Sequence, residues 1–191
     1  AGRDDGKALR YPVNAHIQET ADHRAEHGEH GREEPGEGGV HGADVVKGAM
    51  KKIIDDGEKA LLKKLAKLPE GVWRDRTYVE CCRPGDRGVH RVMLTLKKEK
   101  NRLIFENHGT DPQAGAINAT YSGWRGAIMV ALNELMCWEQ YYAVGGALRH
   151  IDFNPTPGTL NCADFPASVS TAPVQCMEIS LYPAYNVLSK M

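Results

Sequence analysis

The sequence predicts an α+β fold: a three-stranded antiparallel meander packed with amphipathic helices, itself part of a larger fold. Three observations carry this. A lysine-flanked apolar repeat near period 3.6 runs from Ala43 to Leu68. Three strand-like stretches follow, separated by Pro84-Gly85-Asp86-Arg87-Gly88 and by Lys98-Glu99-Lys100-Asn101. Helical periodicity then returns from Ser122 to Tyr142 and again after Pro173. Three strands with one apolar face need a helix or a second sheet above them. The first helix is one candidate cover, and a further part of a longer protein is another.

A chain of 191 residues, 41% hydrophobic and 26% charged, is long enough for one domain with a real core. Its net charge of -1 gives no case for nucleic acid or an anionic membrane as partner. No apolar run approaches the length that crosses a bilayer, and Ala1-Gly2-Arg3-Asp4-Asp5 lacks the apolar core of a secretory signal. The five cysteines, Cys81, Cys82, Cys137, Cys162 and Cys176, are odd in number and form no CxxC pair. A reduced, cytoplasmic chain with ordinary thiols is expected.

Taken in order, residues 1–42 are rich in Gly, Glu, His and Arg and poor in large apolar groups. They are expected to be flexible or loosely packed, because such a composition buries too little surface to offset ordering entropy. His23, His27 and His30 would share one helical face at a spacing that zinc or nickel accepts. Gly28 and Gly31 weaken that helix, and a solvated tract is the expectation. The domain proper is expected over 43–191. Its first helix carries Val45, Val46, Ala49, Ile53, Ala60, Leu61, Leu65 and Leu68 on one stripe, with Asp44 as N-cap and Gly57 as a point where it kinks or splits. Pro69-Glu70-Gly71 ends it.

Val72 to Glu80 is rich in strand formers. Val89 to Lys97 alternates, with His90, Val92, Leu94 and Leu96 on one face and Arg91, Met93 and Thr95 on the other. Arg102 to Glu106 returns as the third strand. In the next helix Trp124, Ile128, Leu132, Leu135, Met136 and Trp138 form an apolar stripe expected in the core, ended by Gly145-Gly146. Leu148 to Phe153 is a short strand candidate, in which His150 and Asp152 would share a face. Residues 154–171 are long and proline-rich, a length of loop that is usually functional or packed against something else. The tail helix must kink or break at Pro183.

The stretch from Glu106 to Thr120 joins a strand to a helix and is dense in hydrogen-bonding side chains. Rigidly flanked loops of this kind often carry function. Glu106, His108 and Asp111 could supply an acid, a base or metal ligands, and Thr110, Gln113 and Asn118 could orient a carbonyl or amide. The structural alternative is that the Asx and Thr side chains cap the helix and tie down the turn. The P-loop, the G-x-G-x-x-G after a strand, the G-x-S-x-G elbow and the zinc ribbon are all missing from the sequence.

Gly109-Thr110-Asp111-Pro112-Gln113 followed by Ile117-Asn118-Ala119-Thr120 resembles the hydantoinase B / 5-oxoprolinase family, which usually shows a D-F-S-G-T-D-P-Q run and then G-x-I-N-A. A second likeness is Pro157-Gly158-Thr159-Leu160-Asn161 with Phe165-Pro166-Ala167-Ser168-Val169-Ser170, where the family tends to show P-x-G-S-L-L-N and P-P-A-A-V-S. The resemblance covers residue 44 to the end. This chain departs from the pattern at Glu106, where the family usually has Asp, and at Asn107 and His108, where it has an aromatic residue and Ser.

The resemblance implies a partial subunit of an ATP-dependent enzyme, with ATP on a separate hydantoinase A-like subunit or domain. The reaction implied is hydrolysis of a cyclic amide of the hydantoin or 5-oxoproline class. The related branch implies carboxylation of a ketone such as acetone or acetophenone, with a divalent metal that would lie outside this chain. A non-catalytic assembly region or an inactive truncated fragment is the remaining alternative. Carried onto this sequence, the motifs make Asp111 and Glu106 the catalytic candidates and Thr110, Gln113, Asn118 and Asn161 the substrate-binding candidates. Family members run to several hundred residues. Together with the missing initiator Met and a final Met191 inside a helical pattern, that suggests an internal fragment.

Overall fold

A computed structural model describes residues 42–80, 83–140, 144–170 and 175–191. The histidines at 23, 27 and 30, the polar segment before residue 42 and the Cys81-Cys82 pair lie outside the described residues. Two compact units divide the chain, Ala1–Gly48 and Ala49–Met191. In the first unit the described residues are the opening turns of helix α1 (Ala43–Leu65), where the N–H groups of Val45 and Val46 donate to Gly42 O. Val45 and Val46, expected on a buried stripe, are exposed.

In the second unit α1 continues without a break at Gly57, which is buried together with Leu61 and Leu65. Ile53, also expected in the core, is exposed. The sheet comprises β1 (Gly71–Glu80), β2 (Val89–Glu99), β3 (Arg102–Glu106) and β4 (Ile151–Asn154), in the order β1-β2-β3-β4. The meander β1-β2-β3 is antiparallel as expected. The short strand expected near 148–153 adds a fourth member to the three-stranded meander: β4 pairs parallel with β3, Phe105 opposite Phe153. A parallel partner needs a long crossover, and helix α2 (Tyr121–Leu132) lies within it.

One face of the sheet carries the core. Trp73, Leu96, Phe105 and Phe153 form a single row across the four strands. Phe105 stacks on Phe153 at 5.8 Å, and Trp124 of α2 meets Phe153 edge-on at 6.0 Å. Leu61 and Leu65 of α1, Ile128 and Leu132 of α2, and Ala184, Val187 and Leu188 of α4 (Gln175–Lys190) complete this cluster. Helix α4 runs through Pro183 as one helix, so of the expected kink or break the break does not occur. One missing N–H is tolerated because Ile179, Ala184, Val187 and Leu188 bury around it.

Beyond α2 the backbone forms a π turn (Asn133–Cys137), then a 3-10 turn (Trp138–Gln140). Leu135 and Trp138, expected in the core, are exposed, Trp138 by 70%. The short helix α3 (Val144–Ala147) approaches α1 so closely that a Cβ on Gly146 would lie 2.0 Å from Ile54 O and 2.6 Å from Glu58 N. Next to it Arg149 and His150 both reach Glu58, His150 Nε2 at 2.7 Å. Asp152 instead pairs with Arg102, so it does not share a partner with His150. No helix among the described residues is long and apolar enough to cross a membrane.

Candidate functional site

A second, smaller apolar cluster underlies the site: Val79 and Val92 from the sheet, Ile117, Ala119 and Leu160 from loops, and Ile179 from α4. Its loop members belong to the two sequence motifs. Burying the valine, isoleucine and leucine side chains stabilises each by roughly 1.5–3 kcal/mol when complete, and pins both motifs against the end of β1 and β2.

β3 stops at Glu106, but β2 continues back to Val89, so the backbone of Met93 and Arg91 loses its strand partner. The first loop supplies a substitute. A turn closes with Thr110 N donating to Asn107 O at 3.0 Å. Gly109 at its corner has φ +92, a conformation that disfavours any side chain. Met93 N then donates to Thr110 Oγ1 at 2.9 Å, and Arg91 N to Asp111 Oδ2 at 2.7 Å. Asp111 N returns a bond to Arg91 O at 2.9 Å. Side-chain oxygens thus take over the acceptor role that backbone carbonyls play further along the ladder. The Arg91 guanidinium closes the arrangement, its Nε donating to Gly109 O at 3.0 Å and its Nη2 lying 3.8 Å from Asp111 Oδ1.

The second motif is threaded between two parts of the first. Leu160 N donates to Asp111 O at 3.1 Å, and Leu160 O accepts from Ala119 N at 2.6 Å. Gln113 N donates to Gly158 O, while Gln113 Oε1 accepts from Asp164 N at 2.8 Å. Asn118 accepts from Ala114 N at 2.7 Å and donates to Gly115 O and to Ser168 O. That last bond ties in the Phe165–Ser170 segment. Thr120 caps α2, its Oγ1 accepting from Gly123 N at 3.3 Å.

At the centre lies a buried amide cluster. Asn107 Oδ1 accepts from Thr156 N at 2.6 Å, and this fixes which way its amide points. Its Nδ2 therefore donates, to Thr159 Oγ1 at 2.9 Å and to Asn161 Oδ1 at 2.6 Å. Thr159 Oγ1 in turn donates to Thr156 O at 2.8 Å. Asn107 and Asn161 are each 1% exposed or less, and Asn161 Nδ2 has no acceptor among the described residues. Leaving such a donor unpaired costs about 1–3 kcal/mol, a cost carried by the interlocked loops around it.

Of the predicted site residues, Thr110, Asp111, Gln113, Asn118 and Asn161 come together in this interlock. Glu106 does not join them. Strand alternation turns its side chain to the sheet face opposite Phe105 and Asn107, where it pairs with Lys97 at 2.8 Å. His108 stands exposed at the turn. Two contributors escape sequence reading. Arg91 sits on an ordinary alternating strand with no motif around it. Asn107 had one available signal, since it continues the inward parity of Leu103 and Phe105.

Burial, and secondarily the charge of Asp164, pushes the Cys162 thiol up to about 11. Burial likewise raises Tyr121. No group of three or more His, Cys, Asp or Glu side chains among the described residues is placed to hold a metal ion. Chemically the arrangement divides in two: a floor of amides and hydroxyls committed to backbone and to one another, and a rim where Asp111, Arg91 and His108 reach solvent.

No curated protein matches the chain. Among solved structures it resembles an ATP-dependent caprolactamase from Pseudomonas jessenii, with a TM-score of 0.65 at 16% identity over 92% of this chain. At that identity the likeness speaks for the fold, and this chain spans 27% of the caprolactamase chain. The model of the hydantoinase B/oxoprolinase family matches residues 39–190, most of the sequence and both interlocked loops, and the chain therefore belongs to the hydantoinase B/oxoprolinase family.

Proposed function

We propose that this chain provides the B-type wall of an ATP-dependent enzyme that opens a cyclic amide. ATP would be bound and cleaved on a hydantoinase A-like partner subunit or domain. One water adds across the ring C–N bond, which breaks to leave a carboxylate and an amine (a carbamoyl nitrogen where the ring is a hydantoin), and a second water is consumed as ATP is cleaved to ADP and phosphate. The observation that carries the reading is the double bonding of Leu160, its N–H to Asp111 O and its carbonyl from Ala119 N. Two polar loops far apart in sequence thereby form one continuous rim. Family membership and the likeness to an ATP-dependent caprolactamase support the same substrate class.

Within that rim Asp111 is the proposed catalytic carboxylate. One oxygen is committed to Arg91 N, and the other lies beside the Arg91 guanidinium on a side chain 33% exposed. Glu106, across the sheet, is the second proposed carboxylate and would act only on a substrate approaching that face. Thr110, Gln113, Asn118 and Asn161 are proposed to act on substrate binding by holding the rim in shape.

The test is reconstitution with a hydantoinase A-like subunit. ATP hydrolysis should be stimulated by caprolactam, hydantoin or 5-oxoproline. Stimulation only by a ketone plus bicarbonate would replace this reading with the carboxylase one. An Asp111→Asn variant retains an oxygen for Arg91 N while losing the carboxylate. It should fold normally and lose most turnover, and full activity in that variant would remove Asp111 from the chemistry.

A further inference from the structure

β1 lies at one edge of the sheet and pairs with β2 through ten consecutive residues without a bulge. The direction of its unpaired groups follows from β2. Met93 and Arg91 send their N–H groups towards Thr110 and Asp111, away from β1. The even-numbered residues of β2 must therefore bond β1, and they stand opposite Gly71, Trp73, Asp75, Thr77 and Val79. Val72, Arg74, Arg76, Tyr78 and Glu80 consequently turn their N–H and C=O groups outwards. No backbone bond to them from the outer side occurs among the described residues.

A long, regular edge of this kind is a template for another strand, and proteins usually blunt such edges with proline, bulges or charge. Only charge is present here, and it changes sign along the strand. Arg74 and Arg76 lie towards one end and Glu80 at the other, all on the face not covered by helices. Neither Arg74 nor Glu80 has a charged partner among the described residues. Arg76 already lies over the Tyr78 ring at 6.0 Å.

We propose that β1 is a self-docking edge. Two copies of this chain would pair antiparallel along residues 74–80 about a two-fold axis at Thr77, joining two four-stranded sheets into one of eight strands. In that register the outward-bonding residues face one another. Arg74 meets Glu80 of the second copy and Arg76 meets its Tyr78, each twice by symmetry. Moving the axis to Arg76 would set Arg76 against itself, so the charge pattern selects the Thr77 axis over that one. A parallel arrangement in register would align like charges, which selects the antiparallel one.

Light scattering on the purified chain should give twice the monomer mass, and sedimentation should show weakening by salt. Glu80→Arg and Arg74→Glu should each raise the dimer dissociation constant by about tenfold or more, because two contacts turn repulsive at once. The double variant Arg74→Glu/Glu80→Arg should restore dimerisation. Arg76→Pro, which removes an outward N–H on an edge strand, should abolish it while leaving the circular dichroism spectrum unchanged. A monomeric chain overturns the proposal. So does a dimer indifferent to these substitutions, or a chain that gains mass only when a hydantoinase A-like subunit is added. Reconstituted turnover tests the proposed function separately and is independent of these outcomes.

Discussion

Asn107→Ala probes the buried amide cluster directly. It removes the acceptor of Thr156 N and the donor to Thr159 Oγ1 and Asn161 Oδ1, three bonds at 2.6–2.9 Å around a fully buried side chain. Thr159 keeps its own donation to Thr156 O, so the groups left stranded are Thr156 N and Asn161 Oδ1. At about 1 kcal/mol per bond, with a further contribution from the stranded groups, the loss is roughly 3–4 kcal/mol. Stability of natural domains is about 5–15 kcal/mol, so the change would be a large fraction of the whole. At about 2–4 °C per kcal/mol for a chain of this length, the melting temperature should fall by roughly 6–16 °C. Urea unfolding followed by circular dichroism measures it. Asn107→Asp supplies a second readout. The carboxylate still accepts from Thr156 N, but an oxygen replaces the donor facing Asn161 Oδ1. Burial raises the folded-state pKa of such a carboxyl, so the protonated form fits and stability is lost as pH rises through that pKa. The deficit relative to the parent should therefore be greater near about pH 8 than near about pH 5. A loss under about 1 kcal/mol for the alanine variant, or a pH-independent deficit for the aspartate variant, would refute the cluster as the anchor of the two loops.

Other sites give independent checks. Gly146→Ala puts a Cβ 2.0 Å from the backbone oxygen of Ile54, so α3 must move from α1 and the chain should lose about 1–3 kcal/mol in urea unfolding. Thr110→Val preserves shape but strips the acceptor from Met93 N, and should cost about 1–3 kcal/mol where Thr110→Ser costs less than half as much. Cys137 and Cys162 are buried with raised pKa values, Cys162 at about 11, so both should resist iodoacetamide near about pH 8 until the protein is unfolded, as peptide mass spectrometry would show. Because the Cys162 proton is held more tightly in the folded state, its contribution to stability is fully present below the ordinary thiol range. That contribution should fade as pH climbs towards about 11.

What the sequence disclosed depended on how local the cause was. The meander could be read because strand alternation and the turns at Pro84-Gly85 and Lys98–Asn101 act over a few residues. β4 was visible as a short strand, but its parallel seat beside β3 is decided by packing across a crossover of more than forty residues, which no local pattern encodes. Leu135 and Trp138 continue the helical stripe on paper. The π turn at Asn133–Cys137 then changes the residues per turn and rotates them outward, while Met136 stays in the core. Val45, Val46 and Ile53 show the other failure: periodicity says which residues share a face, not whether anything covers it. The motifs marked two loops that do meet in the fold. The division of labour inside them was hidden, because an oxygen bonded to a neighbouring backbone and one offered to a substrate look alike in sequence.

That division has a mechanistic consequence. Asp111 and Thr110 complete the edge of β2, Asn118 closes its own loop and holds Ser168, and Gln113 orients Asp164. Truncating any of them would deform the rim, so loss of turnover alone cannot separate a chemical role from a supporting one. Isosteric substitutions can. Thr110→Ser and Asp111→Asn keep the acceptor oxygens that β2 needs, and only Asp111→Asn removes a charge able to move a proton. Turnover lost in Asp111→Asn but kept in Thr110→Ser, with both melting near the parent, would locate chemistry on the rim above an architectural floor. Equal losses in both, tracking their stabilities, would instead make the whole motif a scaffold whose reacting groups come from the partner.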